Sequence, residues 1–387
     1  MARTTLVPIT PSVLTWAIDE SGLSRADIAK AVGVSQETVR SWEAGIRPGL
    51  TQLRKLATQV RRAIAVFLLP EPPKRVIPTV SFRATPGETP RELNPAERRA
   101  VRQARRVQEM LSWLVSELKE RGSSLPSATT SDEPERAASI VRTRLGIPPD
   151  RQLNWESPAE AFDAWRGAFE EAGIAVFAYS MGSNSCRGFS LSDDLVPLVA
   201  VNTAWNTQAR IYTLFHELGH LVTGTSAMCA NPRKRRLTGE SIDPVERWCE
   251  EFAAAALLPW KAVQSVTGLT PHHQVLDLAA ATVIARRFKV SLRAATLLLI
   301  RKGLAEWGLY EKIPARVDDK SGGGGGGGRQ RSEIKSDQFG PRTGRLFYQG
   351  WERDVISRST ILDYLDIPDH TIEQLSVESG ELTRSKD

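Results

Sequence analysis

Apolar residues recur at helical spacing through residues 11 to 69 in a series of short, closely spaced stretches. Pro70, Pro72, Pro73, Pro78, Pro86 and Pro90 then interrupt regular structure, which marks a first domain boundary. Asn94, Pro95 and Glu97 next supply an N-cap, a proline at the first helical position and a glutamate at the third. This start predicts a long helix ending at Gly122, with Ala104, Leu111, Leu114, Val115 and Leu118 at helical spacing. Arg98, Arg99, Arg102, Arg105 and Arg106 near its start read as well as a solvated helix face as they do as phosphate contacts. Past a polar stretch around Ser123 to Pro134, helical segments alternate with β-rich runs, Ile174 to Tyr179 and Val196 to Val201, the pattern of an α+β domain. Residues 274 to 308 return to helical periodicity, and Gly322 to Gly328, an unbroken run of glycine, reads as a flexible linker. The tail carries one small helical unit, Ser359 to Leu375.

The short helices at the N-terminus contain a recognisable turn. In the run Arg25 to Glu43, small Ala29 lets one helix cross closely over the next, Gly33 permits the positive φ of a tight turn, and Val39 and Trp42 bury the inner face of the second helix. That helix then presents Gln36, Glu37, Thr38, Arg40 and Ser41 outward, side chains that can reach base edges and phosphates in a major groove; Arg47 follows. Arg40, Arg47, Arg54 and Lys55 keep the surface basic. With the trailing Trp42-Glu43-Ala44-Gly45 and the helix from Thr51, the segment resembles the Cro/XRE-type family of phage and bacterial repressors, which implies a DNA operator as partner. The bland alternative is a helical bundle used only for protein interaction. A homodimer is expected only by analogy with domains that read two half-sites.

Composition narrows the class. The 387 residues are 41% hydrophobic and 25% charged, within the range of ordinary globular proteins and long enough for two or three domains. No run approaches the roughly 18 apolar residues of a membrane span and the N-terminus has no apolar signal region, so a cytoplasmic protein is expected. Cys186, Cys229 and Cys249 are too scattered for a disulfide framework or a CxxC zinc site. The net charge of +6 suits a polyanionic partner without requiring one.

The chemistry concentrates in Phe215-His216-Glu217-Leu218-Gly219-His220-Leu221. In a helix, histidines four apart project from one face and can reach one zinc ion, while Glu217, rotated by about 100°, can touch a zinc-activated water. Two of the five histidines of the chain fall in this motif, inside a context that is otherwise apolar. A catalytic zinc needs a third protein ligand. Downstream, Glu246 and Glu250 lie one turn apart at the start of a second helix; if one binds zinc, the other is placed to orient a ligand histidine. The bland alternative is an acidic first turn that complements the helix dipole.

The stretch from about Phe162 to Leu304 resembles the ImmA/IrrE-type metallopeptidases, which cleave helix-turn-helix repressors of mobile elements or stress responses. The resemblance is carried by Gly173 to Phe177, Arg187 to Ser190, Val199 to Asn202, the His-Glu-x-x-His helix, the later Glu-x5-Phe-Ala-x2-Leu-Leu-x-Pro pattern and Arg286 to Ser291. It implies zinc as cofactor, His216, His220 and Glu246 as ligands, Glu217 as general base and a helix-turn-helix repressor as protein substrate. Cys249 and Glu250 stand where the family shows Ala-Asn, so the surroundings of the ligands depart from the family, with Glu250 the candidate to orient a ligand. His272 and His273 match nothing in it and read as loop residues. The expected fold is mainly α, a helix-turn-helix bundle plus a zincin-like α+β peptidase domain with a small sheet. Its expected divisions are a DNA-binding domain over 1–70, a proline-rich linker and connecting helix over 71–134, the peptidase over 135–312, a Gly-rich linker over 313–345 and a helical segment over 346–387. The function implied is a peptidase that cuts a repressor or itself. The alternatives are a transcription factor whose zinc domain only senses or folds, and one component of a toxin-antitoxin pair.

Overall fold

The computed structural model describes residues 5–73, 93–225, 228–229, 243–271, 273–314, 337–373 and 375. Much of the proline stretch, the glycine run and His272 lie outside the described residues. The chain divides into two compact units, one holding residues 1–79 and 92–102 and the other 80–91 and 103–387.

In the first unit, α1 (Pro11–Ser21), α2 (Arg25–Val32), α3 (Gln36–Glu43) and α4 (Leu50–Val60) are followed by a 3-10 turn (Ile64–Leu68). Leu14, Ile18, Ile28, Ala29, Val39, Trp42, Leu53, Leu56 and Phe67 form its core. Ser24 and Asp27 close a reciprocal capping box at the start of α2, and Ser35 caps α3 by accepting from Thr38 N at 3.1 Å. Between these helices Gly33 takes φ +82°, the left-handed turn that the sequence requires there.

The helix α5 (Pro95–Glu117) contributes its first turns to the first unit and the rest to the second. Its start is the one expected: Asn94 Oδ1 accepts from Ala96 N and Glu97 N, and Glu97 Oε2 accepts from Asn94 N. It stops before Gly122, because Lys119 turns into the left-handed region at φ +56°. The polar stretch after it is tied down, with Ser123 N donating to Leu195 O and Ala128 N to Val222 O.

The second unit holds a four-stranded sheet among its described residues, in the order β1 (Ala175–Tyr179), β3 (Leu198–Asn202), β2 (Gly188–Leu191) and β4 (Met228–Cys229). β1 runs parallel to β3, while β2 is antiparallel to both β3 and β4. β1 and β3 were legible as apolar runs; β2 is too short to show a period. The helices of this unit are α6 (Pro134–Arg144), α7 (Pro149–Leu153), α8 (Pro158–Glu171), α9 (Thr207–Val222), α10 (Pro244–Leu257), α11 (Trp260–Thr267), α12 (Ala279–Phe288), α13 (Leu292–Arg301) and α14 (Trp307–Glu311), of which α8 and α9 pack on the sheet and α10 packs on α9. Trp165, Phe169 and Phe215 stack edge to face at the centre of this core.

The C-terminal segment contains α15 (Pro341–Glu352) and α16 (Arg358–Leu365). α15 begins before the expected boundary at residue 346, and the sequence does not announce it because Gly344 and Gly350 read as breakers. Gly350 instead serves packing: a Cβ there would lie 2.8 Å from Leu114 of α5. Among the described residues no helix is long and apolar enough to cross a membrane.

Candidate metal centre and recognition helix

The metal centre is built on α9. Asn206 caps it by accepting from Ala209 N at 2.8 Å, and Ile211, Leu214, Phe215, Leu218 and Val222 bury its apolar faces. The remaining face carries His216, Glu217 and His220, which are 3%, 0% and 0% exposed. α10 crosses this face closely at Gly219, where a Cβ would meet Cys249 at 3.1–3.2 Å. That approach brings Glu246, at the start of α10, to the two imidazoles.

His216 Nε2 and His220 Nε2 lie 3.3 Å apart, and the Glu246 carboxylate sits 3.5 Å from each. Donors bound to one tetrahedral zinc at about 2.0–2.1 Å are themselves separated by roughly 3.3–3.5 Å. The chemistry of the set agrees with that spacing. Two imidazole lone pairs and a carboxylate converge in a buried place, an arrangement that repels itself unless a cation lies between them. Glu246, His216 and His220 are therefore a donor set that fits zinc.

Around these candidate ligands the structure adds partners that sequence reasoning missed. His220 Nδ1 lies 3.1 Å from Thr225 Oγ1 and 3.6 Å from Cys249 Sγ. Thr225 Oγ1 also lies 3.2 Å from His220 O and 3.0 Å from Thr223 Oγ1; with its proton given to either, it keeps a lone pair that can accept from Nδ1 when Nε2 is bare. Ser190 Oγ, from β2, donates to Glu217 Oε2 at 3.0 Å. Ser190 lay within a segment already singled out, but nothing in the sequence pairs it with Glu217; Thr225 had no signal at all.

Glu250 takes a different place from the one expected. Its carboxylate faces Arg301 at 3.4 Å, and its backbone carbonyl accepts from Tyr212 Oη at 3.2 Å. At four residues from Glu246, Glu250 stays within about 40° of it around α10, so spacing alone left either open; packing against α13 turns the Glu250 carboxylate to Arg301 instead. His273 is a loop residue, with Nδ1 accepting from Thr270 N at 3.2 Å. Cys186 and Cys249 are buried, and neither is in a disulfide among the described residues.

In the first unit, the recognition-helix candidates Gln36, Glu37 and Arg40 are exposed on α3, and Arg47 is exposed beyond it. Thr38 and Ser41 are half-buried and engaged within the helix: Thr38 Oγ1 is 2.9 Å from Ser35 Oγ, and Ser41 Oγ donates to Thr38 O. Arg25 braces the bundle by pairing with Glu43 and Asp19.

Residues 14–62 match the helix-turn-helix family model, and residues 169–297 match the Peptidase M78 family model, described as an IrrE N-terminal-like domain. The two matches cover α1 to α4 and the part of the second unit that contains the metal centre. No curated protein matches the chain.

Proposed function

From a chain that joins a helix-turn-helix domain to a Peptidase M78 domain, we propose a DNA-binding zinc metalloendopeptidase that regulates transcription by cutting a repressor protein, or itself, in a phage, mobile-element or stress response. The observation that carries the reading is the buried triangle of His216, His220 and Glu246 with the Glu217 carboxylate beside it. A purely structural site has no need of a carboxylate there, whereas peptide hydrolysis does.

Zinc held by the three ligands would polarise the scissile carbonyl and make a water acidic enough to attack it near neutral pH. Glu217 accepts the proton of that water on its carboxylate and passes it to the leaving amine. Ser190 holds the carboxylate in place through Oε2, and its burial excludes bulk water that would compete for the proton. On the DNA side, Gln36, Glu37, Thr38, Arg40 and Ser41 of α3 supply the groove-facing set and Arg47 a phosphate contact.

The test is zinc content together with cleavage of helix-turn-helix repressors from the source organism. The wild type should hold one zinc and cut a repressor or itself. Glu217→Gln should keep its metal and lose roughly 10²–10⁴-fold in rate, while Glu246→Ala should lose metal and activity together. A wild type without zinc overturns the reading.

A further inference from the structure

On the side of α10 away from the candidate metal centre, α6, α7, α10, α11 and α13 line a cavity of about 980 Å³ that is open to solvent on one side. Ala255, Leu258, Trp260 and Leu298 give it apolar walls, and Arg142 of α6 forms part of its lining. Arg142 is 6% exposed, and its partners are neutral: three oxygens and the ring of Trp165, whose centroid is 5.2 Å from the guanidinium carbon. Nη1 donates to Gln152 Oε1 and Ala256 O at 2.7 Å each, and Nη2 to Ile147 O at 2.9 Å. Among the described residues no carboxylate pairs with it. Burial pushes this guanidinium down to about 10, with no acid to hold it up, so it remains charged at neutral pH. A buried charge without a counter-ion is costly, and a guanidinium is the side chain whose planar donors match a carboxylate.

The other charges on the lining do not cancel it. Lys302 is held by Glu135 at 2.6 Å and Arg301 by Glu250 at 3.4 Å. Glu133, Glu135 and Lys261 are exposed to solvent and Glu251 is half-buried, so water and salt screen their fields more than that of Arg142.

We propose that this cavity is a binding site for a small organic carboxylate with an apolar body, its carboxylate paired with Arg142 and its body lying along Leu258, Trp260 and Leu298. The volume is that of a small-molecule site, in which apolar walls supply affinity and one placed polar group supplies orientation. The site involves neither the metal ligands nor the cleavage step, so it stands or falls independently of the peptidase reading.

The experiment is calorimetric titration of the full chain with decanoate and with indole-3-acetate, using decanol as the uncharged control. At least one carboxylate should bind saturably with Kd below about 1 mM, and decanol should bind far more weakly. Arg142→Gln should weaken the carboxylate by at least about 30-fold. Ala255→Phe, which fills the cavity and leaves Arg142 in place, should abolish binding and decides the matter should the Arg142 variant fail to fold. The proposal is overturned if neither carboxylate binds saturably, if decanol binds as tightly, or if binding survives Ala255→Phe.

Discussion

At the scale of single residues, the proposed zinc site depends on which nitrogen of each imidazole carries the proton. A histidine ligates through a lone pair, so Nε2 must be bare and the proton must reside on Nδ1. For His220 the acceptor that holds it there is Thr225 Oγ1, at 3.1 Å, with Cys249 Sγ behind it at 3.6 Å. Replacing the hydroxyl by a methyl keeps the shape and removes the acceptor. Thr225→Val should therefore lower zinc affinity by about 10- to 100-fold, while Thr225→Ser stays close to wild type, as competition with a chromophoric chelator would show. Equal affinity of the wild type and the valine variant would mean that Thr225 plays no part in orienting the ligand. The helix spacing made the metal motif legible, but Thr225 and Ser190 become partners only through the fold, since nothing local in their sequence surroundings distinguishes them from other hydroxyl residues.

At the scale of elements, the site needs α9 pressed against the sheet and α10 pressed against α9. The first contact runs through Gly188 on β2, where a Cβ would stand 2.5 Å from both Ala200 O and Thr213 Cγ2. Neither neighbour can yield freely, since one is sheet backbone and the other a buried side chain of α9. Gly188→Ala should cost about 1–3 kcal/mol of stability, or somewhat more, measured by chemical denaturation of the full chain. A variant as stable as the wild type would show that β2 has room to shift. The same elements mark where periodicity fails as a guide. α9 is long and capped, with apolar positions on all but one face; β2 has four residues, every one buried, and therefore no alternation to read. In α15 the glycines imitate a linker because their role, close contact between helices, leaves no local trace.

At the scale of the whole molecule, the segment after the glycine run belongs to the second unit. Phe339 is 2% exposed and packs edge to face on Phe177 at 5.2 Å and Tyr179 at 6.5 Å, both on β1. Glu170 of α8 pairs with Arg166 and accepts from Arg342 N at 2.8 Å, while Arg342 reaches Gly173 O and Arg106 pairs with Asp363. Burial pushes the Glu170 carboxyl above its usual range, opposed by the two arginines. This is the packing of a core. Phe339→Ala should then destabilise the second unit by about 3–5 kcal/mol, read as an earlier unfolding midpoint by tryptophan fluorescence. A midpoint that does not move would mean that the segment rests on the unit without stabilising it.

The sequence by itself determined the parts that depend on near neighbours: the capped start of α5, the glycine turn before α3, and the placing of His216, Glu217 and His220 on adjoining positions of one helix. These follow from helical geometry and hydrogen bonding within a few residues. Tertiary structure alone decided that Glu246 and not Glu250 faces the histidines, that Thr225, Cys249 and Ser190 surround the site, and that Phe339 closes onto β1. Each of those joins residues far apart in the chain, and the direction of a side chain there is set by how closely two elements can approach. That closeness is a property of packing, which no local pattern along the chain encodes.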